Sequence, residues 1–206
     1  MTTKELIIEE ALTLFSQKGY HGTSVKDIAN AVGIKDSSLY KHFSSKQEIF
    51  DIIVCTMENK MEKMSLEMGL PPDNNFTSAA SYYGSLTKEG LLALSRQVFL
   101  FYLKDPFVAR FRKMAIIEQY NQENIYRVYH RIFLESSIFY LTALFQEMIA
   151  QHIFVAVDAC ILAMNFYTPI FFLLCKYDQT PDLEAQAIEC LDKQIGEFYR
   201  IYRICE

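Results

Sequence analysis

An all-α protein is the fold class this sequence predicts, on three observations. Only 7 glycines and 5 prolines punctuate 206 residues, too few turn signals for a chain of many short strands. Apolar residues recur at spacings of three and four, whereas period-two alternation of β-branched residues is scarce. With 51% hydrophobic and 22% charged residues, the chain is globular and long enough for one large core or two smaller ones.

The first helix is marked by Leu6, Ile7, Ala11, Leu14 and Phe15 on one face, with Glu5, Glu9 and Glu10 toward the end where the helix dipole favours acids. Gly19 ends it. Thr23 and Ser24 offer the next N-cap, and Ser24-x-x-Asp27 has the form of a capping box. Val25, Ile28, Ala29 and Val32 then make the stripe of a short second helix. Gly33 can take the left-handed conformation that closes a helix and starts a tight turn. A third helix is expected over residues 35–42, with Leu39 and Phe43 inward and a polar set outward. Ser44 or Ser45 caps a long fourth helix through Ile49, Phe50, Ile53, Met57, Met61 and Met64, until GLPPDNN at 69–75 breaks it.

Helices follow over about 76–83 and 88–104, and Asp105-Pro106 opens another to about residue 120. NQEN at 121–124 predicts a break. Ile125, Tyr129, Ile132 and Phe133 resume the pattern, which continues through Leu141, Leu144, Phe145 and Met148 to a loop at 151–157. Asp158 is the expected N-cap of a helix over 159–177, buried on most faces, with Pro169 expected to kink it. Thr180-Pro181-Asp182 opens the last helix, striped by Leu183, Ala187, Leu191, Ile195, Phe198 and Tyr202. The apolar run 153–175 is long enough to cross a bilayer. Asp158, Asn165 and Pro169 interrupt it and no positive cluster flanks it, so no membrane is expected.

The formal net charge of −5 argues against wholesale coating of nucleic acid, yet the charge is uneven. Residues 11–47 carry Lys18, Lys26, Lys35, Lys41 and Lys46 against only Asp27 and Asp36. Within this basic end, GIKDSSLYKHFSSK (33–46) completes the order helix, glycine turn, helix. That is a helix-turn-helix, in which the second helix enters the DNA major groove. Lys35, Ser37, Ser38 and Lys41 can donate to base edges or phosphates, while Tyr40 can stack on a thymine methyl or sugar and donate its hydroxyl to a phosphate. Lys46, in the first turn of the fourth helix beside free backbone N–H groups, is expected at a phosphate as well.

The stretch ALTLFSQKGYHGTSVKDIANAVGIKDSSLYKHFSSKQEIF (11–50) resembles the TetR family of transcriptional repressors. The likeness lies in the LF-x(3)-GY end of the first helix, the TSVKDIA second helix, the Gly33 turn, the LYKHF reading helix and the SSK start of the fourth. It covers about the first quarter of the chain, the remainder matching only a general helical layout. The resemblance implies a helix-turn-helix DNA-binding domain at 1–46 and a larger helical ligand-binding and dimerisation domain at 47–206. It implies a cytoplasmic homodimer on a palindromic double-stranded DNA operator, whose DNA affinity changes when a small apolar or aromatic effector binds. Thr23, Tyr40, His42 and Lys46 match phosphate-contacting positions, and Lys35, Asp36, Ser37, Ser38, Tyr40 and Lys41 the base-reading helix, with Ser24 at the cap beside them. Two positions depart from the family pattern: Ser37 stands where many members have glycine, and Lys35 where many have a capping Ser or Thr.

Other readings are weaker. His21, His42, His130 and His152 lie in separate elements, with no GxSxG, HExxH or Gly-rich phosphate loop, so no catalytic residue, metal or cofactor is expected. The N-terminus lacks the series of a secretory signal. Cys55, Cys160, Cys175, Cys190 and Cys205 are odd in number and lack CxxC clustering, which disfavours disulfides and zinc and fits a reduced cytoplasm. The fifteen-residue spacing of the last four fits a redox face, or buried small hydrophobes, which is the expectation. Sixteen Phe, thirteen Tyr and eight Met exceed what a lean helical core needs. Phe99, Tyr102, Tyr120, Tyr140, Phe166 and Tyr167 are the candidate effector contacts, each also readable as plain core. The helices at 159–177 and after Pro181 are candidate halves of an intersubunit four-helix bundle, although packing within one chain would give the same stripes.

Overall fold

A computed structural model describes residues 1–71, 75–178 and 180–204, and among them it has eleven α-helices and no strand. Helix α1 (Thr3–Lys18) opens with a capping box between Thr2 and Glu5 and is closed by Gly19. Helix α2 (Val25–Val32) opens with the expected Ser24/Asp27 box, and Gly33 closes it in the left-handed region at φ 77° and ψ 29°.

The third helix is shorter than expected. Only α3 (Asp36–Leu39) is α-helical; beyond it the N–H groups of Lys41 and His42 donate three residues back, to Ser38 and Leu39, and residues 40–42 form a tight turn. Lys35 at the N-cap makes no side-chain capping bond, and two serines in so short a helix compete for its backbone. Helix α4 (Lys46–Glu67) is preceded by Ser45, whose Oγ accepts the Glu48 N–H at 3.1 Å.

The later helices are α5 (Phe76–Ser85), α6 (Lys88–Lys104), α7 (Pro106–Glu118), α8 (Glu123–His130), α9 (Ser136–Ala150), α10 (Ala159–Tyr177) and α11 (Glu184–Tyr202). Asp105 caps α7 by accepting from Phe107 and Val108, with proline in the first turn as anticipated. Asp158 caps α10 by accepting the Ile161 N–H at 2.9 Å. Between α8 and α9 the residues Arg131–Glu135 form one π-helical turn, a wider turn the helical periodicity does not reveal.

The chain divides into two compact units. The first comprises Met1–Lys63 and Asp105–Arg131, so residues 1–46 share one unit with α7, α8 and most of α4. Phe15, Ile28, Leu39, Phe43, Phe50 and Phe111 are fully or almost fully buried there. Helix α7 packs along α1, and Arg110 ties the pair by donating to Glu9 and Thr13, each at 2.6 Å.

The second unit comprises Met64–Lys104 and Ile132–Glu206. Its core has two parts. One joins α5, α9, α10 and α11 around Ala80, Leu144, Phe145, Phe154 and Phe198; the other joins α6, α10 and α11 around Phe99, Leu173, Leu174, Leu191 and Ile195. From Ala187 to Phe198 the apolar stripe of α11 is therefore satisfied within the chain.

Two expectations fail here. Helix α10 is not buried on most faces: Ile161, Met164 and Phe172 are 55%, 43% and 59% exposed, all on one side of the helix at spacings of three and eight. Nor are the cysteines buried small hydrophobes, since Cys55 and Cys175 are exposed and Cys160 and Cys190 half-buried. Cys160 and Cys175 are separated by about 22 Å of helix axis, too far apart to bond to each other; Cys205 lies outside the described residues. Helical stretches at Glu123–Ala150 and Ala159–Tyr177 are long and apolar enough to cross a membrane by length and composition.

Candidate nucleic-acid interface and effector cavity

The helix-turn-helix is assembled by burial of a few side chains under a polar surface. Leu39 and Phe43 are 0% and 1% exposed, anchoring α3 from below. The Ile34 N–H donates to the Ala29 carbonyl at 3.0 Å across the Gly33 turn, which fixes the angle between α2 and α3. Above this floor Lys35, Asp36, Ser37, Tyr40, Lys41 and His42 are all exposed, and Ser38 is half-buried. Tyr40, at 55% exposure, is a large ring with no reason within the unit to face solvent.

Two residues expected at phosphates make hydrogen bonds inside the unit. Thr23 is 0% exposed, and its hydroxyl donates to the Gly19 carbonyl at 2.8 Å. Its side chain therefore braces the turn. Lys46 donates from Nζ to the carbonyls of Tyr20 and Thr23 at 2.7 and 2.9 Å and lies 4.2 Å above the Tyr20 ring. Burial pushes its ammonium below the ordinary lysine value, with the Glu118 carboxylate pulling the other way. The lysine thus closes the loop between α1 and α2 from the start of α4. Ser24 is exposed but its hydroxyl donates to Asp27 at 2.6 Å, so capping comes first.

Gly19 has φ +78°, and a Cβ placed there would overlap the Glu118 Oε1. The missing side chain admits the carboxylate of α7, itself 3% exposed, to the end of α1. Glu118 was not foreseen from the sequence; a lone acid at a helix end carries no signal of such a contact.

The second unit contains a cavity of about 260 Å³. Five of the six anticipated aromatics are on its wall: Phe99, Tyr102, Tyr140, Phe166 and Tyr167. Tyr120 is not. It belongs to the first unit and is 86% exposed, because the chain turns just after α7 and carries it away from any core. Tyr167 donates its hydroxyl to the Phe133 carbonyl at 2.5 Å, linking α10 to the π-helical turn. Burial, reinforced by the neighbouring Tyr167, raises the Tyr102 phenol well above its ordinary value, so it is a neutral hydrogen-bonding group. Ser95, Ser137, Tyr199 and Arg203 supply further polar atoms, none of which the sequence pattern had singled out.

Residues 7–53 match the model of the bacterial regulatory proteins of the tetR family. Among curated proteins, the biofilm operon icaADBC HTH-type negative transcriptional regulator IcaR of Staphylococcus aureus is 56% identical over 48 residues, 23% of this chain and 26% of IcaR. The chain thus spans about a quarter of the length of the curated relatives it matches. Among solved structures, a transcriptional regulator from Rhodococcus sp. is 16% identical with all of both chains covered, at a TM-score of 0.62. The Bacillus subtilis transcriptional regulator FadR, in complex with stearoyl-CoA, is 20% identical over 93% of this chain and 97% of its own, at a TM-score of 0.60. The sequence match is confined to the N-terminal module, and the structural likeness extends the fold over the rest.

Proposed function

We propose that this chain, whose residues 7–53 match the tetR family of bacterial regulatory proteins, is a ligand-responsive transcriptional repressor. It binds a palindromic duplex operator as a homodimer and loses DNA affinity when a small, mostly apolar molecule fills the cavity of the second unit. In functional terms residues 1–46 are the reading head and residues 47–206 the regulatory part. The observation that carries this reading is the surface of α3 and its following turn: polar and exposed from Lys35 to His42, over a buried Leu39 and Phe43. Similarity to a negative regulator over the same module supports repression as the sign of control. The stearoyl-CoA complex of a protein with this fold supports an effector in the second unit.

The mechanism is one of differential binding. Two reading helices of a dimer enter successive major grooves only when about 34 Å apart. An effector that prefers a conformer with a different spacing lowers operator affinity by as much as it favours that conformer. The exposed apolar side of α10 supports the homodimer, since two such helices related by a two-fold axis would cover each other's apolar side.

Electrophoretic mobility shift against the DNA upstream of the chain's own reading frame, at fixed salt, tests the reading. Tyr40→Ala with Lys41→Ala, both solvent-facing, is expected to keep the melting temperature and weaken specific binding by about 1–3 kcal/mol, roughly tenfold or more. Binding that survives the double substitution unchanged rules out this surface as the reader.

A further inference from the structure

We propose that the effector is an amphipathic anion, whose apolar body fills the cavity and whose carboxylate or phosphate head is held by Arg203. The inference rests on reading that cavity as the effector site, and it adds the chemical class. Apart from a few serine and tyrosine hydroxyls the wall is carbon, and Arg203 is its one charged side chain among the described residues.

No carboxylate among the described residues pairs with this guanidinium. It donates to the Gly84 carbonyl and lies 6.0 Å over the Tyr199 ring. A guanidinium carries five N–H donors in a planar fork that matches a carboxylate or phosphate two bonds at a time. One neutral carbonyl and one ring face leave most of that capacity unused. Charge-assisted bonds of this kind are about twice as strong as neutral ones, and a low-dielectric wall strengthens them further.

The backbone of Arg203 is also held in place. Phe154 and Arg203 form an isolated antiparallel bridge, flanked by Val155 N–H to Tyr202 O at 2.9 Å and Ile204 N–H to Ile153 O at 3.0 Å. Gly84 lets Ile153 approach, since a Cβ there would lie 2.6 Å from the isoleucine Cδ1. This pins the backbone of Arg203 and brings the Gly84 carbonyl under its side chain. A cation at the end of α11 suits the helix dipole too, but that role asks only for nearness to the last carbonyls. It does not ask for a half-buried position on the wall of an apolar cavity.

Isothermal titration of the full chain with decanoate, decan-1-ol and decylamine decides the matter, each below its aggregation threshold. Decanoate is expected to bind at least about tenfold more tightly than the alcohol, with the amine weakest. Arg203→Gln should bring decanoate down to about the affinity of the alcohol, and Arg203→Lys should retain part of the preference. Equal affinity for decanoate and decan-1-ol, or a preference that survives Arg203→Gln, overturns the anion assignment and leaves the cavity as an apolar effector site. Failure of all three probes to bind would remove both readings. Should Arg203→Gln lose its fold by circular dichroism, the wild-type order of decanoate against decan-1-ol and methyl decanoate alone decides.

Discussion

Lys46 is a residue whose chemistry the structure redirects. Its sequence position, beside the free N–H groups of a helix start, points outward to a phosphate, whereas its ammonium in fact satisfies the Tyr20 and Thr23 carbonyls. The consequence is a titration effect with a definite sign. Burial lowers its folded pKa beneath the ordinary 10.5, so as pH rises the folded state gives up the proton first. Between the folded and unfolded values the unfolded chain holds more protons, and stability therefore rises with pH across that interval. Below the folded value the full penalty of burying the charge is present. Lys46→Met keeps the stem over the Tyr20 ring and removes the charge. Urea denaturation from pH 8 upward should show the wild-type slope flattened in this variant, and an identical slope in both proteins would assign the titration to another group.

Helix α7 shows what a cap contributes at the scale of an element. Burial alone would raise the Asp105 carboxyl, but Lys60 at 2.9 Å and the N–H groups of Val108 and Phe107 outweigh it and hold the group below the ordinary aspartate value. A depressed folded pKa means stability that is present above the unfolded value and is lost as pH falls through the folded one. Asp105→Ala should cost about 0.5–2 kcal/mol near neutrality, and the difference from wild type should shrink below pH 3.8. Asp105→Asn keeps the cap and should recover most of the loss; equal losses in both variants would place the effect in the Lys60 pair. Caps of this sort were legible in the sequence because their partners lie within three residues: Ser24 with Asp27, Asp105 before Pro106, Asp158 before α10. The length of α3 was less so, since leucine, tyrosine and lysine continue a helical pattern that the backbone abandons for a tight turn after Leu39. Arg203 was illegible. It reaches the cavity wall through pairing with Phe154, 49 residues earlier in the chain, and no local spacing encodes such a contact. The cavity aromatics fall between these cases: central helices and apolar faces led to Phe99, Tyr102, Tyr140, Phe166 and Tyr167, and the same criterion mistook Tyr120, whose helix ends before it.

At the scale of the whole molecule, the apolar residues left in solvent are as informative as those removed from it. The stripe on α11 is consumed by its own chain, so it carries no argument for a second subunit. The opposite holds for α10, where Ile161, Met164 and Phe172 stay exposed on a helix apolar enough to be read as a membrane span. We read this face as the dimer contact, since apolar patches left in solvent mark such surfaces and a two-fold axis along it would bury each residue twice, once from either subunit. Met164→Glu with Phe172→Glu introduces charge where the single chain makes no use of the apolar groups, so the monomer fold should persist by circular dichroism. Full burial of one such side chain is worth about 1.5–3 kcal/mol. Loss of both from both subunits should raise the dimer Kd by roughly a hundredfold or more. Sedimentation equilibrium at micromolar concentration should then show twice the chain mass for the wild type and the chain mass for the variant. The variant should also bind a single half-site no worse than wild type while losing the palindrome, because each reading head is intact and only their pairing is gone. A wild-type chain that sediments as a monomer at these concentrations would instead leave the α10 face to another partner, and the homodimeric reading would fall with it.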